Sequence, residues 1–144
     1  MRPPKFRVWD NDHKKFFEPV FDASNGKLEE LLIQPNGRLL LREIDGVIGE
    51  SLFPNRFILM QYTGLKDKNG KEIYESDILI PATYKKAHWF PCVVVFYKGM
   101  FCLDLSRPFI ATRSPLYKTI DRGKKAKNEF EIIGTVHENP ELLK

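Results

Sequence analysis

Two apolar runs of six residues, Cys92-Val93-Val94-Val95-Phe96-Tyr97 and Met100-Phe101-Cys102-Leu103-Asp104-Leu105, are separated only by Lys98-Gly99. β-Branched and aromatic residues favour the pleated sheet, and a gap of this length between two such runs calls for a hairpin. A loop of two residues also fixes the register, pairing Tyr97 with Met100, Phe96 with Phe101, Val95 with Cys102 and Val94 with Leu103. Cys92, Val94, Phe96, Phe101, Leu103 and Leu105 then share the expected core face. Val93, Val95, Tyr97, Met100, Cys102 and Asp104 share the other, which Asp104 keeps at least partly wet.

Upstream, Gln61 to Ile80 reads as a joint between two β-rich halves. Ile58 to Tyr62 delivers a strand into it. Asn69-Gly70 suits a two-residue type I′ loop, because both residues tolerate positive φ. The tip is ringed by Lys66, Asp67, Lys68, Lys71 and Glu72, so it is expected in water. Tyr74-Glu75-Ser76-Asp77 forms a second polar corner before the apolar strand Ile78 to Ile80.

The flanks add further strands. Lys5-Phe6-Arg7-Val8-Trp9 alternates, and Asp10-Asn11-Asp12 turns it toward Phe16 to Val20, predicting a hairpin whose second strand Pro19 confines to an edge or ends. Leu31 to Ile33 and Leu39 to Leu41 flank Pro35-Asn36-Gly37 as a second hairpin, although Leu28, Leu31 and Leu32 would also suit a short helix. Ile44 to Glu50, with Gly46 and Gly49, reads as a connection. Beyond the ribbon, a short strand is expected at Leu116 to Ile120, and a last one at Glu129 to Val136 with Phe130 and Ile132 facing in. Asn139 and Pro140 then suit the cap and first position of one closing helical turn. The list is that of a mainly β (β-rich α+β) chain: an N-terminal β-hairpin subdomain over residues 1–60, and an SH3-like small barrel over residues 61–144 with a short C-terminal helical turn, forming one continuous unit.

With 144 residues and an apolar fraction of 42%, the chain can bury its own core. The two cysteines, the lack of a signal-like N-terminal run and the lack of any apolar stretch of bilayer length point to a cytoplasmic protein without a membrane partner. The net charge is +4, yet seven basic residues against one acid between Arg107 and Lys127 give +6 locally and leave −2 for the rest.

Cys92, Cys102, His13, His88 and His137 show no metal-ligand spacing, and hydrolase and phosphate-loop motifs are lacking, so no enzyme activity, cofactor, metal or small-molecule substrate is expected. Glu75 and Asp77 could pair as carboxylates, but at a polar corner they are expected to bind the turn's own amides. Two kinds of partner remain. One is nucleic acid, tracked by Arg113, Lys118, Arg122, Lys124, Lys125 and Lys127, with Tyr117 and Phe109 as stacking rings and Lys85, Lys86, His88 and Trp89 in support. The other is a protein or a second copy of the chain, docking on a sheet edge or on the aromatic set Trp9, Phe16, Phe17, Trp89 and Phe90.

Three segments carry a resemblance. Lys5 to Asp10, Met60 to Ile78 and Ile133 to Leu143, in that order and spacing, are similar to the YopX family, and together they cover essentially the whole chain. The resemblance implies a small, mostly β, phage- or prophage-encoded cytosolic accessory or interaction protein, and it carries over no catalytic residue. One departure is visible: where the family pattern usually reads Glu-Gly-Asp, this chain has Glu75-Ser76-Asp77, so a corner needing positive φ would strain Ser76.

Overall fold

The computed structural model describes residues 3–81, 91–104, 113–116 and 130–144. Its strands are β1 (Phe6–Asp10), β2 (Lys15–Phe16), β3 (Val20–Asp22), β4 (Lys27–Ile33), β5 (Leu39–Glu43), β6 (Gly46–Gly49), β7 (Phe57–Lys66), β8 (Glu72–Tyr74), β9 (Asp77–Pro81), β10 (Cys92–Tyr97), β11 (Met100–Asp104), β12 (Arg113–Pro115) and β13 (Phe130–Thr135). Short 3₁₀ turns occur at Ala23–Asn25, Glu50–Leu52 and Pro140–Leu143, and no helix of seven residues or more is present among the described residues. The protein is mainly β. It divides into two compact units, Met1–Arg7 with Met60–Lys144, and Val8–Leu59, and the chain passes between them inside β1 and inside β7.

The first unit contains an antiparallel sheet in the order β12-β11-β10-β9-β13. At its centre is the ribbon in the register that its loop dictates, with Tyr97 opposite Met100 and Val94 opposite Leu103. Lys98 and Gly99 both take positive φ, +49° and +80°, as a type I′ loop requires. Ile73, Leu79, Cys92, Val94, Leu103, Leu116 and Phe130 form the core, with Leu65, Phe101 and Ile132 packed against it. Phe96 departs from expectation. It is on the core face by parity yet is 56% exposed, because β9 pairs with β10 only at Cys92 and Val93 and the ribbon runs on past that cover. Cys102, on the opposite face, is buried, and its strand is flanked by β12, where Pro115 sits opposite it. A strand lies at Arg113–Pro115, just before the one expected at Leu116 to Ile120, of which only Leu116, itself buried, falls among the described residues. Leu105, Glu129 and residues 117–120 lie outside the described residues.

The loop between β7 and β8 is also built differently from its expected form. Lys66 pairs with Glu72, so the loop is the five residues Asp67 to Lys71, and of Asn69 and Gly70 only the glycine takes positive φ, at +80°. Asp67 is not in water: its carboxylate is buried under the loop, where Oδ1 accepts the amides of Asn69 (2.8 Å) and Lys71 (2.9 Å) and Oδ2 that of Ile132 on β13 (3.2 Å). Lys68 completes the attachment, donating its amide to the Phe130 carbonyl. An aspartate that can satisfy its own turn outcompetes the tighter loop. At the far end of β13 the alternation breaks at a bulge between Ile132 and Gly134. The Asn139 carboxamide lies against Gly134, where a Cβ would collide with it, and accepts the Thr135 amide rather than capping the 3₁₀ turn Pro140–Leu143.

In the second unit β1 and β2 form the expected hairpin, with Trp9 opposite Phe16, but β2 ends there. After Pro19 the chain starts a separate antiparallel sheet, β3-β4-β5-β6. The expected Pro35-Asn36-Gly37 hairpin forms, with Leu31 opposite Leu41 and Ile33 opposite Leu39. The stretch expected as a connection supplies β6, which pairs with β5 from Gly49 opposite Leu40 to Gly46 opposite Glu43. Val47 and Ile48 provide strand character, and Gly46, at φ +143°, closes the tight return from Glu43.

Candidate functional site

Of the basic residues singled out in the sequence, Arg113 falls on β12 with Asp104 opposite it on β11. Tyr117, Lys118, Arg122, Lys124, Lys125 and Lys127, together with Lys85, Lys86, His88, Trp89, Phe90 and Phe109, lie outside the described residues. Of the rest of the expected aromatic set, Trp9 is buried and meets half-buried Phe16 edge to face at 5.2 Å, while half-buried Phe17 meets Phe57 at 5.6 Å.

Three buried carboxylates define the polar interior. At the Glu75-Ser76-Asp77 corner, Asp77 Oδ2 accepts the Tyr74 amide (2.8 Å) and Oδ1 accepts Arg7 Nη2 (2.6 Å). Arg7 also donates to the Glu75 carbonyl and stacks on the Tyr74 ring at 4.7 Å. Burial pushes the Asp77 carboxyl above the ordinary aspartate value, with Arg7 opposing. Burial also raises Glu75, whose Oε1 accepts the Gln61 amide. Asp77 thus binds an amide of its own turn, as expected, while Glu75 reaches instead to the Gln61 amide on β7.

In the second unit Asp10 is clasped by Arg56, at 3.3 Å from Nε and 3.1 Å from Nη2, and by His13 Nδ1 at 2.8 Å. It also accepts the Asp12 and His13 amides. Burial alone would raise this carboxyl, but the hydrogen bonds from Arg56, His13 and the two amides outweigh it and hold the pKa at about 2. An aspartate-oriented histidine is a familiar acid-base couple. Here, however, the recess beside it, lined by Asp10, His13, Lys15, Phe17 and Glu29, measures only about 100 Å³, against the ~300 Å³ or more of a usual small-molecule site. Among the described residues no group of three or more His, Cys, Asp or Glu side chains could hold a metal ion, and Cys92 and Cys102 are buried. Chemically, these clusters brace turns.

The arrangement that differs from a brace is the outer face of the β3-β4-β5-β6 sheet. Leu39 and Leu41 on β5 are buried, so Leu40 and Arg42 point to the opposite face. By register that face also carries Phe21, Leu28, Glu30, Leu32 and Val47. Phe21 is 66% and Val47 55% exposed. Glu30 and Arg42 face each other across the strands near the middle and pair at 3.4 Å, while Gly49 lies opposite Leu40 with the Arg38 guanidinium beside it. The sequence carries a trace of this face: Leu39-Leu40-Leu41 does not alternate, and a strand that is apolar on both faces has two surfaces to cover.

Among the described residues, two β units with braced polar turns and a partly exposed apolar sheet face are the class that these observations define. The chain belongs to the YopX family, described as YopX protein, which it matches over residues 5–144. The crystal structure of protein EF1440 from Enterococcus faecalis is similar, with 32% identity over 99% of each chain and a TM-score of 0.60. The crystal structure of protein yopX from Bacillus subtilis is similar at 25% identity, over 96% of this chain and 97% of that one, with a TM-score of 0.55. No curated protein matches the chain. No helix among the described residues is long and apolar enough to cross a membrane.

Proposed function

We propose that this YopX-family chain is a phage- or prophage-encoded accessory protein that works as a non-enzymatic interaction module in the bacterial cytoplasm, its C-terminal half being an SH3-like barrel. The observation that carries the reading is the contrast between its polar and apolar groups. The buried carboxylates Asp10, Asp67 and Asp77 are committed to amides and guanidinium groups, whereas exposed Phe21 and Val47 and half-buried Leu28, Leu32 and Leu40 share one sheet face. Contiguous apolar surface of this kind marks contact sites. The five-stranded antiparallel order β12-β11-β10-β9-β13 supports the barrel reading. The test is light scattering on the purified chain combined with affinity capture from infected and uninfected bacterial lysates. A homo- or hetero-complex of fixed stoichiometry is expected. A monomer that retains nothing, or turnover in a hydrolase screen that tracks with the protein, overturns the reading.

A second reading is favoured by the local charge of +6 between Arg107 and Lys127: weak, sequence-independent nucleic-acid binding through Arg113, Lys118, Arg122, Lys124, Lys125 and Lys127, with Tyr117 as a stacking ring. Labelled single-stranded and duplex oligonucleotides titrated at low and moderate salt decide it. Salt-dependent binding at micromolar protein supports it, and no binding removes it.

A further inference from the structure

We infer that the outer face of the β3-β4-β5-β6 sheet docks on the same face of a second copy of this chain, about a two-fold axis passing between β4 and β5. This rests on the interaction-module reading and names its partner. The argument is charge complementarity. Glu30 and Arg42 are cross-strand neighbours at the centre of the face, 3.4 Å apart, with side chains 28% and 48% exposed. Rotation by two-fold symmetry about an axis between them lays Glu30 of one copy over Arg42 of the other, and the reverse, so that two half-solvated pairs close into a ring of alternating charge. Any other partner would have to supply a base and an acid in the same crossed positions. An isologous contact supplies them automatically. The same rotation lays Leu32 of one copy over Leu40 of the other, and the reverse, with the Arg38 guanidinium bordering that end of the face beside Gly49.

The size of the face sets the strength of the contact. Strands about 4.8 Å apart and up to seven residues long make a face of roughly 20 by 20 Å, or about 400 Å² per copy. That is near half of the ~800 Å² per partner typical of stable complexes, so the dimer is a weak and reversible one. Desolvated charge pairs of this type set specificity more than affinity.

Sedimentation velocity on the full chain, over two orders of magnitude in concentration from low micromolar upward, tests the inference. A concentration-dependent monomer–dimer equilibrium is expected. Glu30→Arg and Arg42→Glu each place like charges across the axis and weaken it at least about tenfold. An equimolar mixture of the two variants restores the dimer as a heterodimer, which also shows that both variants fold. Self-association that survives both reversals, or a mixture that stays monomeric while each variant melts like the parent, overturns the inference. A monomeric parent that captures a host polypeptide through this face overturns it too, but leaves the interaction-module reading standing. A monomer that captures nothing removes both.

Discussion

Ser76→Gly tests the reading of the central joint most directly. Ser76 sits at φ +70°, in the left-handed region. It cannot relax out of that conformation, because its amide donates to the Val94 carbonyl (2.8 Å) and its carbonyl accepts the Val136 amide (2.9 Å), tying the corner to the chain on both sides. Holding an L-residue there costs about 1–2 kcal/mol through the approach of Cβ to the backbone. Glycine removes that contact but gives the unfolded chain more freedom, worth about 0.4–1 kcal/mol in the other direction. The expected net gain is therefore about 0.5–1 kcal/mol, or roughly 2–5 °C in Tm for a chain of this size. Ser76→Val adds a β-branched side chain at the same φ and is expected to lose about 1–2 kcal/mol. Urea unfolding of the three proteins measures this as a shift in midpoint at constant slope. A glycine variant no more stable than the parent, or a valine variant equal to it, would show that the corner carries no backbone strain.

Asp10 titrates at about 2 in the fold against an ordinary 3.8, so its ionisation stabilises the second unit by about 2 kcal/mol above pH 4, a contribution lost as pH falls from about 4 toward 2. Asp10→Asn should flatten that acid limb in urea unfolding at stepped pH, and an unchanged limb would remove the assignment. Arg7→Met leaves the buried Asp77 carboxylate without its guanidinium and is expected to cost about 3–5 kcal/mol at neutral pH. Because burial raises the Asp77 carboxyl in the fold, it takes up a proton more readily there than an ordinary aspartate, so the loss should shrink in acid, and Arg7→Met/Asp77→Asn should recover part of it. A loss under about 1 kcal/mol would contradict the pairing. Asp67→Ala orphans the Asn69, Lys71 and Ile132 amides and is expected to cost about 2–4 kcal/mol. Asp67→Asn keeps one acceptor oxygen for the loop and should cost about half. Hydrogen exchange at the Ile132 amide should quicken in both, and unchanged protection there would rule out the bond to β13.

The parts of this fold legible in the sequence are those decided within a few residues. The ribbon register follows from the length of one loop, and the β4–β5 pairing follows from one Pro-Asn-Gly corner. Errors arose wherever a distant group cast the deciding vote. Asn69-Gly70 promised a tight loop, but the buried Asp67 carboxylate can hold the loop amides and the Ile132 amide together, a bond across 65 positions. Gly46 and Gly49 read as loop residues, and only the pairing of β6 with β5 makes them a strand. Phe96 has the parity of a core residue and is exposed because β9 stops short of it. Periodicity assigns a side chain to a face, and only the rest of the structure determines whether that face is covered. A docking surface is an apolar face left uncovered, so it is the feature that periodicity alone cannot mark. In β5 the sequence shows that both faces are apolar. That Leu39 and Leu41 are buried while Leu40 stays half-exposed becomes visible only when the chain is folded, and this moves the functional question from the family-bearing joint at Gln61 to Ile80 onto the outer sheet of the second unit.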